Sequence, residues 1–396
     1  MKNIIIIGAR GYEKEYGGWE TFVTNLINNY NDKDTRFFVP ELNHSKKNRN
    51  VEVRNGVTCP QIYVPKQGSL TMLTFAFKAT LYFMKYIKKE KLENVVMYTL
   101  GYRVGPLFTL IHRKLTRMGV KIVINPDGIE WQRAKWNFLI KSYFKFSEKT
   151  MINASDYVVC DSKNIEKYIK DKYKKKENRT TFIAYGAYLK DVKDIDKKTK
   201  FFMDKYDIKK REYYLIVGRF VPENNYELII KEYMKSTTKK DLVIVSNVEQ
   251  NKFYEKLKLT TGFDKDKRIK FVGPVYDQDM LVRLRKNAKG YIHGHSAGGT
   301  NPSLLEALSI TDVNILYDAC YNKEVGEDAA IYFSNEEGSL CKQIETIEKF
   351  KIKDQNEYGE KAKKRIKDEY TWEIVVKKYK KLFDKLLKEK NKKNEK

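Results

Sequence analysis

Tyr291-Ile292-His293-Gly294-His295-Ser296-Ala297-Gly298-Gly299-Thr300-Asn301-Pro302-Ser303-Leu304-Leu305-Glu306-Ala307 holds three kinds of local signal in a row. An aromatic and β-branched run at 290–293 reads as a strand. A loop of small residues follows, and Pro302-Ser303 then opens a helix with a carboxylate about one turn in. A strand–loop–helix junction is the unit of a parallel α/β sheet, in which ligands bind beyond the carboxyl ends of the strands. Free N–H groups in such a loop suit a diphosphate, and Glu306 suits a sugar hydroxyl as an acceptor. Glu306 also reads as a first-turn acid complementing the helix dipole.

Working outward, the same alternation fills the chain. Strands are expected at 4–7, 36–39, 57–64, 95–99, 121–124, 157–160 and 180–184, then at 213–217, 242–245, 269–272, 290–293, 314–317 and 330–333, with helical patterns between them. Six or seven strands per half is what two Rossmann-like domains require, and 396 residues are enough for two independent cores. Residues 190–200, dense in Lys and Asp, read as a solvated linker and place the boundary near 195. A last helix over about 358–387 carries Ile366, Tyr370, Ile374, Tyr379, Phe383 and Leu386 at helical spacing. The Lys-rich tail after it is expected to be frayed.

Composition narrows the class. A hydrophobic content of 41% with 28 Tyr and 20 Phe excludes a disordered chain, despite 33% charged residues. Cys59, Cys160, Cys320 and Cys341 show no C-x-x-C spacing and read as reduced core thiols, with neither a disulfide framework nor a zinc site. The apolar run at 4–7 is too short for a signal-peptide core. No stretch reaches the ~18 apolar residues of a membrane span, so a cytoplasmic setting is expected. The formal net charge of +26 calls for an anionic partner, unless it only reflects a composition rich in Lys, Asn, Ile and Tyr.

Three further segments carry chemistry. Gly8 to Glu20 joins the first strand to a helix beginning near Thr21, and its glycines let backbone approach an anion, although the spacing is neither a dinucleotide fingerprint nor a phosphate-binding P-loop. Gly218-Arg219-Phe220-Val221-Pro222-Glu223-Asn224-Asn225 follows a strand, where a guanidinium is placed to clamp a pyrophosphate. Asn125-Pro126-Asp127-Gly128-Ile129-Glu130-Trp131 sets two carboxylates after a strand, with Lys135-Trp136 beyond. A carboxylate there can orient an acceptor hydroxyl or act as a general base. Asp127 reads equally as a helix N-cap.

Together these segments resemble the GT4 glycosyltransferases, which have the GT-B fold, and in particular their capsule and cell-wall rhamnosyltransferase branch. The resemblance rests on Tyr16-Gly17-Gly18-Trp19-Glu20-Thr21-Phe22, Asp127-Gly128-Ile129-Glu130-Trp131, Gly218-Arg219 with Glu223-Asn224-Asn225, and Gly298 through Ala307. It implies two Rossmann-like doubly wound domains facing across a cleft. Residues 1–195 would bind the acceptor and 196–356 the nucleotide sugar, while 357–396 would pack back on the first domain. The implied donor set is Gly17, Gly18, Arg219, Asn224, Asn225, His295, Ser296, Gly299, Thr300, Asn301 and Glu306. The implied acceptor side is Glu20, Asp127, Glu130 and Trp131, with Asp127 and Arg219 as catalytic residues. Two departures stand out: Gly298 occupies the place of the first Glu of the usual Glu-x7-Glu pair, and Asn224 stands where Lys is more usual. Such enzymes retain anomeric configuration and need no metal, so the triplets Asp194-Ile195-Asp196, Asp264-Lys265-Asp266 and Asp277-Gln278-Asp279 are not read as metal sites. The implied reaction moves L-rhamnose from a dTDP donor to a lipid-linked saccharide.

The charge returns as a question of surfaces. Lys141, Lys145 and Lys149 share a stripe if 136–151 is a helix, and Lys78, Lys85, Lys88 and Lys89 border Phe77, Leu81 and Met84 on another. Such helices suit a protein resting on an anionic membrane face, or are solvated faces over an ordinary core. Nucleic-acid binding lacks a zinc-finger spacing, an RRM-type aromatic motif or a compact basic domain. An epimerase or phosphorylase of the same fold is the other alternative, using UDP- or GDP-hexoses in place of a dTDP sugar.

Overall fold

The computed structural model describes residues 1–14, 17–46, 50–132, 136–190, 192, 195–248 and 251–394. Two compact units divide the chain: Met1–Tyr185 with Trp372–Lys396, and Gly186–Thr371.

The first unit runs β1 (Lys2–Ile7), α1 (Gly18–Asn28), β2 (Thr35–Phe38), β3 (Glu41–Asn43), β4 (Val51–Arg54), β5 (Val57–Tyr63), α2 (Thr71–Lys89), β6 (Val95–Leu100), α3 (Gly105–Arg117), β7 (Lys121–Asn125), α4 (Phe138–Ala154), β8 (Tyr157–Cys160), α5 (Lys163–Lys172) and β9 (Thr180–Phe182). Its sheet has the order β3-β5-β2-β1-β6-β7-β8-β9, parallel along that path, with β4 antiparallel on β5. Ile4 to Ile7 are wholly buried because β1 lies between β2 and β6 with helices on both faces. Each such side chain contributes about 1.5–3 kcal/mol. The chain moves one way along the sheet after β1 and the other way from β5 to β9, so right-handed crossovers put α2 to α5 on one face and α1 on the other.

The second unit runs α6 (Lys197–Lys205), β10 (Tyr213–Val217), α7 (Tyr226–Lys235), β11 (Asp241–Val245), α8 (Lys252–Thr261), β12 (Ile269–Gly273), α9 (Gln278–Asn287), β13 (Gly290–His293), α10 (Pro302–Leu308), β14 (Asn314–Tyr317), α11 (Cys320–Gly326), β15 (Ile331–Phe333), α12 (Ser339–Glu348) and α13 (Ile352–Glu369). Its six strands are all parallel, in the order β12-β11-β10-β13-β14-β15. The order reverses at β10, so β10 and β13 are neighbours and their carboxyl ends flank a topological switch point. The last helix, α14 (Trp372–Asn394), returns to the first unit.

Several expectations are corrected. The long C-terminal helix is two, because Tyr370 leaves helical geometry and Thr371 bridges to Ala187, with the Ala187 N–H donating to the Tyr370 carbonyl at 2.8 Å. The tail after Leu387 is helical as far as Asn394. The stretch read as a linker contains the start of α6, capped by the Asp196 side chain on the Thr199 N–H at 2.7 Å. Cys59 and Cys160 are core thiols, but Cys320 is exposed. Tyr98 and Tyr379 share a buried 2.8 Å hydrogen bond that, with Phe22 and Phe383, seats α14 against β6 and α1.

Candidate functional site

In the second unit the segment after β10 and the segment after β13 form one hydrogen-bonded assembly. The Pro222–Asn224 turn ends at Asn225, which takes a left-handed φ of 52°. The Asn224 amide donates to the Arg219 carbonyl at 2.7 Å and turns its Oδ1 toward His295 Nδ1 at 2.8 Å. With Oδ1 as acceptor, His295 carries its proton on Nδ1. The Asn225 amide donates to the Gly294 carbonyl at 2.9 Å, and the Ser296 N–H and hydroxyl both donate to the Glu223 carbonyl, at 2.9 and 3.0 Å. Gly294 is required here, since a Cβ would collide with the Asn224 carbonyl. Asn224 is thus the rivet between the two loops, which explains how the position works without a Lys.

Beneath them lies a buried polar node. Tyr291 and Ser303 hydroxyls meet at 3.0 Å, and both reach the Val217 carbonyl, at 3.2 and 3.1 Å. Arg285 of α9, 1% exposed, donates to Ser303 at 3.2 Å and pairs with Glu306 at 2.7 Å. His293 is buried beside them, and burial, then His295 and Arg285, push its imidazole down to about 3, so it is neutral. Asn301 caps α10 through the Ser303 N–H at 2.9 Å, and Thr300 is buried. Arg219 stands exposed at the end of β10, and His295 to Gly299 are half-buried. All second-unit donor residues named from the sequence therefore fall on two adjacent loops.

In the first unit Asp127 follows β7 with a left-handed φ of 54°. Its N–H donates to Asn125 Oδ1 at 2.9 Å, and the Tyr185 hydroxyl donates to its Oδ1 at 3.3 Å. That left-handed conformation is not the extended one of a helix N-cap. Burial, then Asp127, raise the Tyr185 hydroxyl well above its usual range, so it stays a donor. Trp131 donates to Glu148 at 3.0 Å, and Trp136 donates to Glu130 at 3.0 Å. Glu148 is fully buried and also accepts from Tyr168, Tyr173 and Lys172.

The glycine turn after β1 differs from the expected anion cradle. Glu20 is buried in the first turn of α1, which begins at Gly18 rather than near Thr21, and its carboxylate accepts from the Arg10 N–H at 2.8 Å. It lies so close over Gly17, whose φ is 139°, that any Cβ there would overlap it. The anion at this turn is thus supplied by the protein's own Glu20. Trp19 packs over Gly101 with Arg103 on its face, 4.3 Å from the ring centre. Tyr16, Lys135 and Asp194 lie outside the described residues. Asp277 caps α9 and pairs with Lys198 at 2.6 Å, and Asp264 pairs with Lys258 at 3.2 Å. Arg285, His293, Tyr185 and Glu148 went unnoticed in the sequence, although Arg285 does fall on the apolar stripe of Met280, Leu281 and Leu284.

Two Rossmann-like parallel sheets, the second with an arginine and a glycine-rich loop at its switch point, define the GT-B class of glycosyltransferases. Residues 198–365 match the family described as Glycosyl transferases group 1, and residues 1–188 match a domain of unknown function, DUF1972. An uncharacterized glycosyltransferase of Methanocaldococcus jannaschii is 26% identical, over 98% of this chain and 100% of its own. Among solved structures, sucrose-phosphate synthase from Thermosynechococcus elongatus superposes with a TM-score of 0.77 at 15% identity, covering 98% of this chain and 99% of the other. A trehalose 6-phosphate synthase from Burkholderia multivorans gives 0.76 at 9% identity, over 99% and 98%. Anabaena HepE, solved with UDP, gives 0.72 at 12%, over 97% and 100%. The chain is a glycosyltransferase of the group 1, GT-B type.

Proposed function

We propose that the protein transfers L-rhamnose from dTDP-rhamnose to a lipid-linked saccharide at the cytoplasmic face of the membrane, in capsule or cell-wall polysaccharide synthesis. The observation that carries the donor half is the riveting of the two loops through Asn224, His295, Asn225 and Ser296, with Arg219 left exposed beside them. Arg219 and the loop amides of 298–301 hold the diphosphate, and Glu306, fixed by Arg285, accepts from the nucleoside sugar. The acceptor hydroxyl, oriented by Asp127, attacks the anomeric carbon on the face the diphosphate leaves. The bond to the β-phosphate oxygen breaks, and that oxygen takes the hydroxyl proton. Configuration is retained, and Arg219 with the loop amides carries the departing charge in place of a metal.

HepE is solved with UDP and, in a second structure, with UDP and glucose, which makes a UDP-hexose the competing donor. The test is incubation of the pure protein with dTDP-rhamnose, UDP-hexoses and GDP-hexoses, with and without a lipid-linked saccharide acceptor. Acceptor-dependent release of dTDP is the expected result. Acceptor-dependent release of UDP alone would reassign the donor, and consumption of a sugar nucleotide without acceptor would point to an epimerase or hydrolase.

A further inference from the structure

α4 presents to solvent the side that a helix of a globular domain ordinarily buries. Its exposed positions are 138, 139, 142, 145, 146 and 149, which fall on a single stripe. Phe138, Leu139 and Phe146 on that stripe are 81%, 75% and 52% exposed. Lys145 and Lys149 share it, with Lys141 at its edge. The helix contains one acid, Glu148, and that carboxylate is turned inward and wholly buried. An ordinary surface helix keeps its large apolar residues on the core side.

The exposure has a geometric cause. The Gly105 N–H donates to Ser147 Oγ at 2.9 Å, so α3 begins beside the middle of α4. The preceding residues of α4, 138–146, extend about 14 Å beyond that point. Tyr143 donates to the Arg103 carbonyl at 2.7 Å and Phe144 packs on Trp136 with ring centres 5.6 Å apart, which fixes the rotation of the helix. The apolar stripe is thereby held outward.

We infer that this stripe of α4 docks the protein on an anionic bilayer, with Phe138, Leu139 and Phe146 entering the interface and Lys141, Lys145 and Lys149 meeting headgroup phosphates. The inference rests on the reading of a lipid-linked acceptor. Trp131 of the Asp127 segment is bonded to Glu148 of this same helix, so docking sets the acceptor segment next to the membrane. A second copy of the chain is a poorer occupant, because a two-fold contact would set these lysines against their own copies with no acid between them.

The test is co-sedimentation of the full chain with phosphatidylcholine vesicles, with or without phosphatidylglycerol. Binding should be at least about tenfold tighter to the anionic vesicles and weaken with salt. The double variant Phe138→Ser/Leu139→Ser, at positions too exposed to affect folding, should lose about tenfold or more. Equal binding to both vesicle types, or unchanged binding of the variant, overturns the proposal. So does self-association in solution that the variant abolishes, which would assign the stripe to a second copy. Thermal stabilisation by dTDP and UDP, read in parallel, separates the two ideas: its absence with vesicle binding intact would remove the glycosyl-transfer reading and leave docking standing.

Discussion

The guanidinium of Arg285, buried in α9, lies 2.7 Å from the carboxylate of Glu306 on α10. The two partners differ in surroundings: Arg285 is 1% exposed at its side chain and Glu306 32%. Removing Glu306 therefore strands a buried charge, whereas removing Arg285 leaves a carboxylate that water can reach. Glu306→Ala should lower unfolding stability by about 3–5 kcal/mol, and Arg285→Met by clearly less. Urea titration of both variants measures the difference, and equal costs would mean the pair is not organised this way. Glu306→Gln, which spares stability better, is the variant for testing donor binding.

Arg219 carries no such structural duty. Its side chain is exposed, and only its backbone carbonyl serves the loop, as acceptor for Asn224. Arg219→Ala should stay within about 0.5 kcal/mol of the parent in stability, while transfer falls by about 100-fold or more. Calorimetric binding of nucleotide sugars and a denaturation curve on the same sample check both halves.

Asp127→Asn should leave nucleotide-sugar binding intact and reduce transfer by about 100-fold or more. Tyr185→Phe removes the 3.3 Å hydrogen bond to Asp127 and should act in the same direction with a smaller loss. Parallel measurement of donor affinity and turnover distinguishes this from a fault in the second unit.

His293 gives a pH signature. Its imidazole is held near 3 in the folded protein by burial, and then by His295 and Arg285, against 6.5 for the free group. The unfolded chain binds the extra proton between those values, so this contribution is full above about 6.5 and falls by roughly 1.4 kcal/mol per pH unit as pH drops toward 3. His293→Phe should show a shallower loss of stability than the parent between pH 6 and pH 4 by about that slope. Identical slopes would place the imidazole in contact with solvent.

The parallel strands were legible because each is a short apolar run bounded by turn residues, as at Ile4–Ile7 and Tyr213–Val217. β3 and β4 were not, since Glu41–Asn43 has three residues and the burial string of Val51–Arg54 is mostly exposed, leaving no period to detect. The break at Tyr370 and Thr371 was hidden because both flanking helices keep the same apolar spacing. The loops around Arg219 and His295 could be placed from strand ends alone. Glu20 could not, because only three-dimensional packing shows its carboxylate folded back on the Arg10 N–H. The role of Arg285 was masked by its type: an arginine on an apolar stripe reads as a surface residue until its partner four strands and loops away is seen beside it.

The most direct test of the central claim, that the loops after β10 and β13 grip the donor diphosphate, is hydrogen–deuterium exchange with and without dTDP-rhamnose or UDP-glucose. Amides in 218–225 and 294–303 should gain protection when nucleotide sugar binds, and Arg219→Ala should abolish the gain. Thermal stabilisation by either ligand with protection confined to other segments would contradict the account.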